Sequence, residues 1–160
     1  MRTRRTECIA AGPLALDLHW DNGVLLRTEL SARGERTPSP QLTDAGALLQ
    51  QALSAYVNGE DVAWPRIPYA MHGLSPFTRT VLVTLRDTVG RGETVTYAEL
   101  AARAGSPRAA RAVGRAMATN RWPLLIPCHR VLAAGGLGGY SLGLDLKRLL
   151  LTIEGVALPG

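Results

Sequence analysis

Residues Trp64 to Pro76 carry Pro65, Pro68, Pro76 and Gly73, a density that neither a helix interior nor a central strand tolerates. These residues interrupt any hydrophobic period, so the chain is expected to form two small domains, residues 1–70 and 71–160. Before the break, Leu14, Leu16, Leu18 and Trp20 alternate on one face, Asp21-Asn22-Gly23 offers a tight turn, and Val24–Leu30 returns as the second arm of a hairpin. A polar, turn-rich stretch, Ser31–Pro40, follows. Ala45, Leu48, Leu49, Ala52, Leu53, Tyr56 and Val57 then recur at helical spacing, with Ser39 and Pro40 expected to start that helix. With 46% hydrophobic residues in 160, the chain can bury a real core, which argues against disorder.

After the break, Ser75-Pro76 is expected to open a helix whose stripe is Phe77, Val81, Leu85 and Val89, closed at Gly90. Thr96-Tyr97-Ala98-Glu99 has the spacing of a capping box and leads into a short helix that Gly105 stops. Ser106-Pro107 is expected to begin a second helix running to about Ala118, and the pair makes a helix-turn-helix candidate. Leu146, Leu149, Leu150 and Ile153 mark a C-terminal helix ending at Gly155.

Charge narrows the choice of partner. The formal net charge is +5, almost all of it arginine, with Lys147 the only lysine. From Leu100 to Leu144 there is no Asp or Glu, while Arg103, Arg108, Arg111, Arg115, Arg121 and Arg130 all fall inside the segment. Such a segment suits a polyanion, and nucleic acid is the expected partner. Cys8 and Cys128 lie too far apart to staple a small secreted scaffold, which fits a reduced compartment. The basic start Met1-Arg2-Thr3-Arg4-Arg5 leads into no apolar signal region, and no run reaches the roughly 18 residues that span a bilayer. A soluble, cytoplasmic protein without a membrane partner is expected.

The chemistry concentrates in Pro127-Cys128-His129-Arg130-Val131, just after the apolar run Leu124-Leu125-Ile126. A buried cysteine is more often a small hydrophobe than a nucleophile. Sulfur attack needs thiolate, whose population must be raised by a nearby base or positive charge, and His129 is the obvious base. Glu154 on the last helix is a candidate to orient that histidine. His19 and His72 have no comparable neighbourhood, and with Cys8 and Cys128 they show no metal-ligand spacing, so no metal is expected.

Thr96–Ala101, Ala109-Ala110-Arg111-Ala112-Val113-Gly114-Arg115-Ala116-Met117, Asn120 and Ile126–Val131 together resemble the DNA-binding domain of the O6-alkylguanine-DNA alkyltransferases. The similarity runs from about Phe77 to Gly155. It implies an α/β fold in which a ribonuclease H-like sheet-and-helix domain precedes a mainly helical, winged-helix-like helix-turn-helix domain. It implies DNA repair by irreversible, stoichiometric transfer of an alkyl group from O6 of guanine, and less so O4 of thymine, to Cys128. The protein would act as a monomer on double-stranded DNA, without a cofactor, and be consumed in one turnover. By the same resemblance His129 is the base, acting through a water, Glu154 orients it, Tyr97 is the phenolic donor to the leaving guanine, and Asn120 braces the turn before the reactive cysteine. Arg111 matches the arginine finger that replaces the flipped nucleotide. Arg108 and Arg115 would contact phosphates with the remaining arginines, while Ala109, Ala110, Ala112, Gly114 and Ala116 would let the helix approach the minor groove. Val131, Tyr140, Ser141 and Leu142 match the walls of the base pocket.

Two departures from the family pattern stand out. Asn120-Arg121-Trp122-Pro123 replaces an Asn-Pro-x-Pro turn, and Leu142 stands where a glycine is usual. Leu142 is expected to narrow the range of adducts toward methyl. The rival readings are an alkyltransferase-like protein that binds lesions without transfer, against which Cys128 argues, and a thiol hydrolase, which lacks an oxyanion arrangement and gives the arginine helix no purpose.

Overall fold

The computed structural model describes residues 2–158, and the chain divides into two compact units, Met1–Ala70 and Met71–Gly160. Met1, from the basic start, lies outside the described residues.

The first unit is a three-stranded antiparallel sheet in the order β1 (Arg4–Ala11), β2 (Leu14–Asp21), β3 (Val24–Ala32), with helix α1 (Asp44–Val57) against β1. The β2–β3 hairpin turns through Asn22 and Gly23 at φ of 51° and 79°. These are the left-handed values that a two-residue Asn-Gly loop adopts readily. Leu14, Leu16 and Leu18 are fully buried, as the alternation requires. Strand β1 escapes the sequence pattern because its first half, Arg4-Arg5-Thr6-Glu7, is polar and reads as a tail; the structure pairs it with β2 from Arg4↔Asp21 to Ala11↔Leu14. Helix α1 begins later than Ser39-Pro40. Its cap is Thr43, whose Oγ1 accepts from the Gly46 N–H at 3.1 Å, whereas the Ser39 hydroxyl accepts from the Cys8 N–H at 2.9 Å. Gln50 on α1 closes the sheet edge, taking the Ala10 N–H at 3.0 Å and donating to the Ala10 carbonyl at 2.8 Å.

The second unit contains α2 (Pro76–Thr88), β4 (Val95–Thr96), α3 (Tyr97–Arg103), α4 (Ala110–Ala118), a 3₁₀ turn at Cys128–Arg130, β5 (Val131–Leu132) and α5 (Leu144–Ile153). Ser75 caps α2 by accepting from the Thr78 N–H at 3.1 Å, with Pro76 in the first turn, where its missing N–H costs nothing. Strands β4 and β5 pair in parallel, Val95 with Val131 and Thr96 with Leu132, which ties the start of α3 to the segment leaving Cys128. Thr96 then caps α3, accepting from the Glu99 N–H at 3.1 Å.

Two expectations are corrected in this unit. Helix α4 starts at Ala110, with Ala109 as its cap; Ser106–Ala109 is a separate turn closed by the Ala109 N–H on the Ser106 carbonyl at 2.9 Å. Between α4 and the 3₁₀ turn, the apolar run Leu124–Ile126 folds into a tight turn. Pro123 and Pro127 remove ladder donors, Leu124 takes a left-handed φ of 76°, and the Ile126 N–H turns back to the Trp122 carbonyl at 2.9 Å. On α5 the buried residues are Lys147, Leu150 and Leu151, with Glu154 buried just beyond them, in place of the expected stripe Leu146, Leu149, Leu150 and Ile153. The helix therefore turns two charges inward. Among the described residues no helix is long and apolar enough to cross a membrane.

Candidate active site

Pro127 sits at φ −82°, ψ 64°, close to an inverse γ-turn, and the Cys128 N–H reaches the Ile126 carbonyl at 2.8 Å. A single 3₁₀ turn follows, closed by the Arg130 N–H on the Pro127 carbonyl at 2.9 Å. Three residues per turn send three consecutive side chains in three directions. Cys128 faces a cavity of about 270 Å³, while His129 and Arg130 turn inward onto one carboxylate, that of Glu154.

Glu154 reaches this point because it closes α5, its N–H bonded to the Leu150 carbonyl at 3.0 Å. Its Oε2 lies 2.5 Å from His129 Nε2 and its Oε1 accepts from Arg130 Nε at 2.7 Å. Arg130 also donates to the Val89 carbonyl at 2.8 Å, and both side chains on Glu154 are buried, His129 at 0% exposure and Arg130 at 7%. Arg130, expected among the phosphate-contacting arginines, is thus part of the interior. Burial alone would raise the Glu154 pKa, but the hydrogen bonds and charge of His129 and Arg130 outweigh it and hold the carboxyl at about 2. Burial lowers the His129 pKa. The stable arrangement is a neutral imidazole whose Nε2–H donates to an ionised carboxylate. His129 Nδ1, buried and without a hydrogen-bond partner among the described residues, then keeps its lone pair as an acceptor.

The cavity before Cys128 is lined by Tyr97, Gly114, Met117, Ala118, Gly139, Tyr140 and Ser141. The Tyr140 hydroxyl is 3.9 Å from Cys128 Sγ. Burial pushes the Cys128 thiol up, and hydrogen bonds from Asn120 and Tyr140, then the charge of Lys147, pull against it. Burial, helped by the Cys128 charge, also raises the Tyr97 phenol, so it keeps its proton and remains a donor. Gly138 is required beside it: at φ 74°, a Cβ there would come within 3.0 Å of the Ala133 nitrogen and 3.4 Å of the Tyr97 hydroxyl. Asn120 spans the preceding turn, donating to the Ile126 carbonyl at 2.9 Å and accepting from the Trp122 N–H at 3.0 Å.

The structure thus brings Cys128, His129, Glu154, Tyr97 and Asn120 to one place. Of the four residues expected at the base pocket, Tyr140 and Ser141 line the cavity and the other two do not. Val131 is buried on β5, and Leu142 is 41% exposed, so the expected narrowing by Leu142 has no support in its position. Arg108, Arg111 and Arg115 are exposed on or just before α4, and Ala109, Ala110, Ala112 and Gly114 are half-buried. Ala116, 3% exposed, belongs to the core. Trp122 is fully buried as well, so the bulky departure in the turn serves packing. Sequence reasoning missed Lys147 and the inward role of Arg130. The signal for the first was available, since a single lysine stands in a chain that otherwise uses arginine.

The family model for the DNA binding domain of 6-O-methylguanine DNA methyltransferase matches residues 76–156. The human methylated-DNA–protein-cysteine methyltransferase is 47% identical over 104 residues, which cover 63% of this chain and 50% of that protein. The chain thus spans about half the length of this relative. The Methanopyrus kandleri protein of the same name is 38% identical over 131 residues, covering 82% of this chain and 96% of the relative. Among solved structures, Mycobacterium tuberculosis OGT in complex with DNA superposes with a TM-score of 0.74 at 34% identity, covering 94% of this chain and 91% of that one. With the Cys128, His129 and Glu154 constellation inside the matched segment, the chain belongs to the 6-O-methylguanine DNA methyltransferase family.

Proposed function

We propose that this chain repairs duplex DNA by moving an alkyl group from O6 of guanine to its own Cys128. The observation that carries the reading is the cavity itself: a thiol on one side, the Tyr97 phenol on another, and a buried His129–Glu154 pair behind the thiol. The relatives' printed names, and the DNA bound to the tuberculosis neighbour, point the same way.

The chemistry follows from these groups. His129 Nδ1 accepts the Cys128 proton through a water, and the charge formed on the ring is met by ionised Glu154. Sulfur then attacks the alkyl carbon as the bond from carbon to O6 breaks. The electron pair moves onto the guanine, where the Tyr97 hydroxyl offers the proton or hydrogen bond that stabilises it. The balance is one thiol and one alkylguanine converted to one thioether and one guanine: guanine takes its proton from Tyr97, and the proton held by His129 returns through water to the phenolate. A thioether has no route back, so each chain acts once.

A thiol with 6% exposure cannot meet a stacked base, so the nucleotide must leave the helix at a cost of a few kcal/mol. Arg111, exposed on α4, would fill the gap, with the exposed Arg108 and Arg115 on phosphates and small residues between them. The three-stranded sheet and α1 of the first unit suit a ribonuclease H-like domain.

The test is the intact mass of the protein, with peptide mapping, after incubation with duplex DNA holding one O6-methylguanine. One methyl group on Cys128, saturating at one per chain and absent from Cys128→Ser, is expected. Tight binding with no gain in mass would replace transfer by lesion sensing.

A further inference from the structure

Lys147 is the only lysine in the chain. It is fully buried, on the inward face of α5. Its Nζ donates to the Val131 carbonyl at 2.8 Å and to the Gly139 carbonyl at 3.0 Å, and lies 5.9 Å from the centre of the Tyr140 ring. Val131 directly follows the Cys128–Arg130 turn, and Gly139 directly precedes Tyr140, whose hydroxyl is 3.9 Å from the sulfur. The loop between these carbonyls contains Gly135, Gly136, Gly138 and Gly139, which bring no side chains with which to hold a shape.

We propose that Lys147 is a positioning residue for alkyl transfer, an internal clamp that ties the pocket loop at Gly139 to the backbone leaving the reactive turn at Val131 and so sets Tyr140 opposite the thiol. This rests on the transfer reading given above. The geometry suits an ammonium and not a guanidinium. Nζ presents tetrahedral donors to two carbonyls from different segments, whereas arginine, the residue at this chain's other Lys/Arg positions, offers a bulkier planar fork that reaches further.

The clamp costs stability. Burial lowers the Lys147 pKa to about 8, with the Cys128 charge acting in the opposite direction. A base depressed in the folded state penalises folding in full below about 8, and the penalty fades as pH rises toward the ordinary 10.5. The titratable groups facing Nζ are Cys128 and His129 from the 3₁₀ turn and Tyr140 from the loop; no carboxylate pairs with it among the described residues. A cation held without a counter-charge beside a nucleophile is explained by what it positions there.

Two measurements test this. In the first, wild type, Lys147→Met and Lys147→Arg are compared in single-turnover transfer from an O6-methylguanine duplex at saturating DNA, with the Kd for the same duplex and the Tm measured alongside. Both variants should lose about 10²-fold in rate, the scale of a misplaced reacting group, with Kd unchanged. Wild-type rates in Lys147→Met, whatever its Tm, would overturn the proposal. Full rescue by arginine would also overturn it, leaving only a requirement for charge. The second uses the wild-type chain and needs neither transfer nor a folded variant. Lysine labelled with ¹³C at Cε gives one resonance, which should titrate with a midpoint of about 8 and move when iodoacetamide alkylates Cys128. A resonance titrating near 10.5 and indifferent to that alkylation would place the ammonium outside the site and sink the clamp. Wild type that shows the shifted resonance but gains no methyl from DNA would break the transfer reading alone.

Discussion

Each unit of this chain buries one glutamate among donors, Glu7 in the first at 1% exposure and Glu154 in the second at 6%. Glu7 accepts from Trp20 Nε1 at 2.8 Å, from Thr43 Oγ1 at 3.0 Å and from the Thr43 N–H, and pairs with Arg5 at 3.2 Å. An indole, a hydroxyl and an amide do not exchange protons in ordinary service, so this network only fastens β1 and β2 to the start of α1. Glu154 holds an imidazole and a guanidinium. The guanidinium fixes the carboxylate charge, and the imidazole is the one group of the set that can accept a proton and pass it on. Two carboxylates of similar burial thus differ in whether a partner can take up a proton, and that difference separates a staple from the support proposed for His129.

The strongest way to break the comparison is to neutralise each carboxylate in place. Glu154→Gln should slow transfer by roughly 10²- to 10⁴-fold, the range of a lost general base, because an amide can accept from Nε2–H but cannot stabilise the imidazolium. Glu7→Gln should leave the rate unchanged. Single-turnover kinetics at saturating DNA decide it, and an equal loss in both variants would end the distinction.

Acid should expose the Glu154 contribution next. Glu154 titrates at about 2 in the fold against an ordinary 4.5, so it contributes stability above 4.5 that is lost as pH falls through about 2. The full contribution is on the order of 3 kcal/mol by linkage. Urea denaturation of wild type and Glu154→Gln at neutral pH and again near pH 2 should show the gap between them closing in acid. A gap independent of pH would mean that the ionised form gains nothing from Arg130 and His129.

A smaller effect is expected of Glu7→Gln itself. Leaving part of the Trp20 and Thr43 donor set without a charged acceptor should cost about 1 to 3 kcal/mol of unfolding free energy, with transfer intact in the folded fraction. No loss of stability would show that the first unit does not depend on this staple.

Much of this contrast was legible in the sequence, and the part that was not has physical causes. The Asn22-Gly23 hairpin and the Ser75-Pro76 helix start could be read because local chemistry decides them. Cys128, His129 and Glu154 could be nominated because their side chains name their chemistry, though only the fold could show that α5 delivers Glu154 to both neighbours of the thiol. Strand β1 was hidden by its polar half, since an edge strand is held by pairing and by Gln50 from α1. Periodicity rotated the buried stripe of α5 because it scores Lys147 and Glu154 as solvent-facing, and here both charges are satisfied inside. Arg130 misled for the same reason, as charge composition cannot tell an arginine aimed at phosphate from one aimed at a buried carboxylate.

The finest test uses two threonines with one local role. Thr43 caps α1 and Thr96 caps α3, each Oγ1 accepting a backbone N–H at 3.1 Å. Either change to alanine should cost about 1 kcal/mol, the usual value of such a cap. Thr43→Ala also removes a donor to Glu7, so its effect should fall entirely on stability. Thr96→Ala loosens the first turn of α3, which begins at Tyr97, and Tyr97 lines the cavity that holds the thiol. It should therefore slow transfer several-fold at saturating DNA while the Tm falls no further than in Thr43→Ala. If both variants kept the full rate, β4–β5 pairing alone would hold Tyr97 in place, and the cap would be a staple like Glu7, set by chance beside the site.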